Sequence, residues 1–196
     1  DQSNELSLNH VFSAIETVRD QISESDNSVA SLAEQAATLM ELSELANAAF
    51  ALNSGSSYHR FFYDQTRDGA EQIGQMFEQA IRDGKLTESK LFDKTRTPIQ
   101  GTQPVKYSSS FDTFTDKNLP VVQEQVKSSH PALVFAIVAA PDGYIPTHNR
   151  EFAHAPTGDP AVDLVRSRSK RLFNDRTGIR CGSHKEKMLL QTYRRD

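Results

Sequence analysis

The residues best suited to chemistry lie near the C-terminal end of the chain, around its single cysteine. That cysteine occurs in the sequence Cys181-Gly-Ser-His184. A neighbouring imidazole draws a thiol toward the thiolate, the form that attacks electrophiles and reacts with oxidants. No oxyanion-binding motif and no third orienting residue is recognisable beside this pair. The pattern therefore favours a redox-sensitive thiol over a nucleophile, and we expect no enzymatic activity.

The same pair offers two ligands of the kinds that transition metals prefer. A tetrahedral zinc site needs four ligands, so His148 or His154 would have to meet Cys181 and His184 across the fold. Covalent haem needs a Cys-x-x-Cys-His sequence, and the second cysteine is missing here. The sequence favours a loop cysteine and a surface histidine, so no cofactor is expected, with a metal or haem as the alternative.

A second group of candidate residues is basic and aromatic. A helix is predicted over residues 160–173, with Arg166 and Lys170 on one side and Arg168 and Arg171 on another. One of these sides would clamp a carboxylate, since arginine binds it bidentately. The alternative is a solvated basic face, with the tyrosines packed in the core. The candidate ligand-binding residues are Tyr144, His148, Arg168, Arg171 and Tyr193.

The elements that would position these residues fall into two parts, and the first is a long helix. The first fifty residues contain neither glycine nor proline, and they carry a heptad repeat in which 11 of 13 a and d positions are apolar. A stripe this narrow is buried only against another helix, so residues 5–51 are predicted to form a homodimeric coiled coil. A hairpin folded at residues 23–28 is the alternative. The repeat consists of Leu8, Val11, Ile15, Val18, Ile22, Ser25, Val29, Leu32, Ala36, Leu39, Ser43, Ala46 and Phe50.

The second part has shorter elements. The domain organisation is predicted as a signalling helix over 1–52, a hinge at 53–57 and one small domain over 58–196. Its predicted helices cover residues 58–81, 88–92, 115–129 and 160–173. Its predicted strands cover residues 132–139, 144–147 and 188–193, with a surface loop over 95–112. The expected core aromatics are Phe61, Phe62, Phe77, Phe135 and Phe173.

Charge is distributed unevenly along the chain. Residues 1–52 contain nine acidic residues and one arginine, a net charge of −8, whereas residues 150–196 contain eleven basic and six acidic residues, a net charge of +5. The basic portion lacks any nucleic-acid-binding motif, so no nucleic-acid partner is expected. The longest apolar run is too short to span a bilayer, and no membrane contact is expected. One cysteine allows no intrachain disulfide, which is compatible with the cytoplasm.

Three sequence strings carry a resemblance to a known family. They are GYIPTHN at residues 143–149, RLFNDRTG at 171–178 and LLQTYRRD at 189–196. Together they resemble the sensory module at the C-terminal end of bacterial methyl-accepting chemotaxis proteins. The longer string FAIVAAPDGYIPTHN at residues 135–149 resembles the strand–turn–strand hairpin of PAS-like Cache domains. In that family the module follows a coiled-coil signalling hairpin, and its members continue beyond the last string with further strands.

The resemblance implies an α+β fold: a long coiled-coil helix followed by a PAS-like (Cache-like) domain with an antiparallel sheet, truncated at its C-terminal end. It also implies a non-catalytic sensory role, in which a small ligand or the redox state biases the helical rod. Chemotaxis signalling proteins would be the partners of the full-length parent. The location would be the cytoplasm, with or without attachment to a membrane-anchored receptor. The alternatives are a metal- or haem-containing redox or oxygen sensor, and a dimerising interaction module without a small ligand.

Overall fold

The computed structural model describes residues 2–55 and 57–193, with side chains from residue 7 onward. These residues form an α+β structure in which helices predominate. The elements are α1 (Gln2–Asn53), α2 (Tyr58–Arg82), α3 (Glu88–Leu91), β1 (Thr97–Ile99), β2 (Lys106–Ser108), α4 (Asp112–Ser128), β3 (Tyr144–Ile145), a 3-10 turn (Arg150–Phe152), α5 (Pro160–Arg166), β4 (Arg171–Leu172) and α6 (Arg176–Ser183).

The predicted long helix is confirmed as one continuous element. Helix α1 spans 52 residues, which corresponds to about 78 Å at 1.5 Å per residue. It passes through residues 23–28 without a break, so the alternative hairpin is wrong. The reason is local, since Ser, Asp and Asn tolerate a helix interior when no glycine or proline is present. No helix within the described ranges is long and apolar enough to cross a membrane.

The chain divides into two compact units between Asn47 and Ala48. The second unit therefore includes the last turns of α1, where Ala48 and Ala51 are buried. Helix α2 contacts this end of α1 through Arg60, whose Nη1 donates a hydrogen bond of 3.0 Å to the carbonyl oxygen of Leu52. Ser56, within the predicted 53–57 hinge, lies outside the described residues.

Helices α2 and α4 pack against each other in the second unit, and both were predicted. The side chain of Ser57 caps α2 by accepting a hydrogen bond from the backbone N–H of Arg60. Gly69 permits the close approach of the two helices, because a Cβ atom there would lie 2.8 Å from Val126 Cγ2. On α4, Leu119 and Val122 are buried and Val126 is half-buried, so these residues mark the face of the helix toward the core.

The structure contains a hairpin where a surface loop was expected over residues 95–112. Strand β1 pairs antiparallel with β2, and Pro98 lies opposite Tyr107. Pro98 lies within β1, whereas Gly101, at a φ of 74°, and Pro104 belong to the reversal between the two strands. A proline in a two-stranded edge pairing is tolerated because it need not donate to the ladder.

The predicted strands at residues 132–139 and 188–193 are not strands, and the segment predicted at 144–147 has a different partner. Strand β3 pairs antiparallel with β4, from which the sequence separates it by more than twenty residues. The apolar run before the turn forms no ladder, since the backbone N–H of Ala136 donates to the side chain of Asn149 at 2.8 Å instead. An apolar run indicates burial, whereas a strand also requires a neighbour with free backbone groups.

The helix predicted over residues 160–173 ends at Arg166. Asp159 caps its first turn, and the chain then leaves the helical path at Ser167, which forms an isolated bridge with Ala153. The remaining residues pass through Lys170, at a φ of 65°, into β4. Arg168 and Arg171 therefore do not share the side of a helix.

Helix α6 lies in a region, residues 176–183, for which the sequence predicts no helix or strand. Asp175 accepts a hydrogen bond of 2.7 Å from the backbone N–H of Gly178 and so caps the helix. Gly178 and Gly182 lie one turn apart on α6 and face other backbone segments. A Cβ atom at Gly182 would lie 2.0 Å from the carbonyl oxygen of Ala140. The two glycines thus allow α6 to pack directly against the backbone at Phe173 and Ala140.

The buried core of the second unit differs in part from the expected aromatic set. It consists of Ala80, Leu86, Phe111 and Tyr144, against which Phe77 packs. Phe62, Phe135 and Phe173 are only half-buried, and Phe61 is exposed. The centre lies between the end of α2, the start of α4 and β3.

Candidate functional site

One cavity of about 420 Å³ in the second unit, which we call the lysine cavity, is lined by several polar and charged residues. It lies between the β1–β2 hairpin, α4 and the segments that flank β3 and β4. Its polar and charged walls are formed by Lys106, Asp116, Thr147, His148, Arg150, His154 and Lys170. Of the candidates predicted from sequence, the cavity brings His148 and His154 together.

Lys106 projects from β2 and is only 5% exposed, although it carries an ammonium group. Its Nζ donates a hydrogen bond of 2.7 Å to the carbonyl oxygen of Ser169. No carboxylate in the described part of the chain forms an ion pair with it. Burial, with a smaller contribution from the positive charges of Arg171 and Lys170, lowers the pKa of Lys106 to about 8.

Sequence reasoning missed Lys106, and its local sequence contains little that would identify it. The residue follows Gly101 and Pro104, which are typical of an exposed loop. Its burial depends on Ser169, 63 positions further along the chain. The aromatic neighbour Tyr107, within the predicted surface loop, is the one local hint of burial.

Lys170 lies on the wall of the same cavity but has a complete set of partners. Its Nζ donates to both carboxylate oxygens of Asp116 at 2.7 Å and to the carbonyl oxygen of Pro146 at 2.9 Å. Asp116 also accepts a hydrogen bond of 2.7 Å from the hydroxyl of Thr147. The negative charge of Asp116 is therefore engaged by Lys170, and Lys106 lacks an equivalent counterion.

His148 is 2% exposed and is fixed by its surroundings. Its Nδ1 accepts a hydrogen bond of 2.9 Å from the backbone N–H of Asn149, so the neutral ring carries its proton on Nε2. Phe135 and Phe152 contact the ring edge-on, with centroids 5.6 Å and 5.0 Å away. The ring is thus held as a hydrogen-bond donor in a largely apolar setting.

Tyr144 belongs to the core rather than to a cavity wall. It is fully buried, and its hydroxyl lies 2.9 Å from both carboxylate oxygens of Asp112 and 3.1 Å from the carbonyl oxygen of Tyr107. Burial and the charge of Asp112 raise the pKa of the Tyr144 phenol far above its ordinary value. The guanidinium of Arg96 lies over its ring at 4.6 Å and forms an ion pair of 3.0 Å with Asp142. These contacts give Tyr144 a structural role.

The two candidate arginines lie near each other because both guanidinium groups contact the same aromatic ring. The guanidinium carbons of Arg168 and Arg171 lie 5.2 Å and 4.9 Å from the ring centroid of Phe173. Both side chains also donate to the carbonyl oxygen of Leu164. Tyr193, the remaining candidate, is 53% exposed.

Cys181 and His184 lie at a different cavity, of about 990 Å³, which we call the aromatic cavity. Burial raises the pKa of the Cys181 thiol above its ordinary value, although the residue has an exposed surface. The thiol is therefore largely protonated at neutral pH. The redox and nucleophile roles of Cys181 stay predictions. Other residues that line this cavity are Tyr58, Phe62, Tyr63, Leu133 and Leu189.

The predicted metal ligands are divided between the two cavities. His148 and His154 line the lysine cavity, whereas Cys181 and His184 line the aromatic cavity. Across the described residues, no group of three or more His, Cys, Asp or Glu side chains is placed to hold a metal ion. The four residues do not assemble into the zinc site that the sequence suggested as an alternative.

Comparison with known proteins found no family model, no curated protein and no solved structure that matches this chain. Its function is therefore inferred from the geometry of its own residues and from the sequence strings quoted above.

Proposed function

We propose that this chain is a non-catalytic sensory module that transmits a signal through a paired helix. Helix α1 forms a coiled coil with a second copy, and the second unit is a PAS-like domain that binds a small ligand. The resemblance to the C-terminal part of chemotaxis receptors supports this role. It also suggests that the full-length parent acts with chemotaxis signalling proteins in the cytoplasm.

The observation that carries the proposal is the exposed apolar stripe of α1. Its large a and d side chains, from Leu8 to Phe50, are between 52% and 67% exposed. Burying one such side chain contributes about 1.5–3 kcal/mol, so a stripe of nine strongly favours association. Heptad spacing directs that association toward a second helix of the same pattern, and a second copy of the chain provides one.

The connection between ligand and helix lies at the end of α1. Ala48 and Ala51 are buried within the second unit, and Arg60 of α2 binds the carbonyl oxygen of Leu52. Helix α2 in turn packs on α4, which forms one wall of the lysine cavity. A ligand shifts this system only by binding one of its conformations more tightly than the other.

The proposal is tested by placing one carboxylate on or beside the stripe. Leu32→Asp puts a charge at a d position, whereas Ser31→Asp puts the same charge on the outer face of the helix. We expect sedimentation velocity to show a dimer for the wild type and for Ser31→Asp, and a monomer for Leu32→Asp. A wild-type chain that stays monomeric at high micromolar concentration would contradict the proposal.

A further inference from the structure

The lysine cavity contains a buried positive charge without a counterion. A buried lysine is normally paired, because removing an ammonium group from water is costly unless an anion or several acceptors replace the water. Lys106 has one acceptor on Nζ, the carbonyl oxygen of Ser169 at 2.7 Å. Its backbone N–H is bound to the hydroxyl of Thr102 at 2.9 Å, which holds the residue in place on β2.

The other charges around the cavity do not supply that counterion. Asp116 is engaged by Lys170 and Thr147. Asp163, the acid that acts on Lys106 through space, accepts hydrogen bonds from Thr157 and Gly158. The charges of Lys170 and Asp116 offset each other, and Arg150 adds a positive charge to that of Lys106, so the cavity is electropositive.

The remaining walls indicate what kind of anion would fit. Ile99, Pro120, Ala153 and Pro156 form an apolar part of the lining. His148 contributes a buried ring to the lining. A volume of about 420 Å³ lies in the range of small-molecule sites. A lining that combines apolar residues with a cation suits an organic acid better than inorganic phosphate, which has no carbon skeleton to bury.

We propose that the lysine cavity binds a small organic carboxylate whose carboxyl group pairs with Nζ of Lys106. The carbon skeleton of the ligand packs against the apolar wall, between the β1–β2 hairpin and α4. This inference deepens the proposed sensory function by naming the chemical class of the ligand. It is independent of dimerisation, because the ligand test reports on the cavity and the sedimentation test reports on α1.

The test is a thermal-unfolding titration of the full chain with acetate, butanoate, hexanoate and succinate. Matched additions of sodium chloride, inorganic phosphate and butanamide control for ionic strength, for a plain anion and for a neutral skeleton. We expect at least one carboxylate to raise the melting temperature in a concentration-dependent way, and the three controls to leave it unchanged. No response to any of the carboxylates, or an equal response to phosphate, would overturn the proposal.

Two variants assign the response to Lys106. Lys106→Met removes the charge at nearly constant length, and Lys94→Met makes the same change at an exposed lysine of the same unit. We expect the affinity for the active carboxylate to fall at least about tenfold in Lys106→Met, the loss of a charge-assisted pair, and to be unchanged in Lys94→Met. Equal affinity in both variants would overturn the assignment.

A measurement on the wild-type chain keeps the proposal testable if Lys106→Met does not fold. The pKa of Lys106 is followed by NMR of 13C-labelled lysine, with and without the active carboxylate. Pairing with a carboxylate favours the charged ammonium, so we expect the pKa to rise on binding. An unchanged pKa at saturation would show that the carboxylate binds elsewhere and would overturn the proposal.

Discussion

At the scale of single residues, the surroundings of Tyr144 explain why a plausible ligand-binding residue became a core residue. An Asp-Gly-Tyr turn predicts the bend correctly, and Gly143 adopts the required φ of 80°. The direction of the tyrosine is set by distant partners, Asp112 and Arg96, which lie more than thirty positions away. No local pattern specifies such partners, so sequence reasoning finds the turn and misses the role.

Removing the hydroxyl of Tyr144 tests that structural role. Tyr144→Phe leaves the buried carboxylate of Asp112 with fewer donors, so we expect the free energy of unfolding to fall by about 1–2 kcal/mol. Tyr58→Phe provides the control, because that side chain is 62% exposed. Urea unfolding of both variants measures the difference, and equal stability of the two would remove Tyr144 from the buried network.

Lys106 shows the reverse situation. It is a functional candidate, but the sequence around it contains no motif that would identify it. The histidines that line the same cavity were predicted as candidates, since histidine attracts notice by its chemistry alone. Lys106 was not, because lysines are abundant and usually exposed. What distinguishes it is burial, which only the folded chain reveals.

At the scale of elements, periodicity predicts helices well where their partners are close in sequence or are other helices. Helices α1, α2 and α4 appear where the spacing places them. The apolar run at residues 132–139 was assigned to a strand, but a strand requires a partner that the sequence does not name. Helix α5 was extended past Arg166 because the basic spacing continues, while Ser167 turns away to bind the carbonyl oxygen of His154 at 2.7 Å.

Two glycine-to-alanine changes, one in α6 and one in α2, are expected to change the free energy of unfolding in opposite directions. Gly182→Ala places a methyl group against the carbonyl oxygen of Ala140, so we expect a loss of stability of about 1–3 kcal/mol. Gly74→Ala, in α2, has no atom within 4 Å of the added carbon, and we expect a gain of about 0.5–1 kcal/mol from the better helix propensity of alanine. Thermal unfolding of the two variants checks both signs, and a Gly182→Ala protein as stable as the wild type would show that α6 can move aside.

At the scale of the whole molecule, the lowered pKa of Lys106 makes the free energy of unfolding depend on pH between about pH 8 and pH 10.5. The pKa of Lys106 falls from 10.5 to about 8 on folding. Between these values the unfolded chain binds more protons than the folded chain, so the free energy of unfolding rises with pH. The other charges facing this group are Arg171, Lys170 and Asp163.

We therefore expect the wild-type chain to gain stability from about pH 8 to pH 10.5 relative to Lys106→Met, in which this contribution is absent. Urea unfolding of both proteins across the window measures the difference, which cancels the titration of groups the two proteins share. A difference that stays constant over the window would show that Lys106 is solvated in the folded state. A bound carboxylate should reduce the gain, because it stabilises the charged form.

The division of the chain into a heptad helix and a mixed second unit followed from composition and spacing alone. The α+β class was implied by the resemblance of the three sequence strings. The location of the lysine cavity was not predictable, because its walls come from β2, α4, the segment after β3 and the residues before β4. Those segments are far apart in sequence, and long-range packing leaves no local periodic signature.

The backbone of Lys170 has a consequence for how the second unit responds to an occupant of its cavity. Its N–H donates to the carbonyl oxygen of Ile145 at 2.8 Å, and its own carbonyl oxygen accepts from the N–H of Tyr107 at 2.7 Å. One residue thus ties together both small sheets, while its side chain reaches α4 through Asp116. The direct hydrogen bonds of Lys170, a residue of the cavity wall, therefore reach β2, β3 and α4 together, so a shift of Lys170 would act on all three.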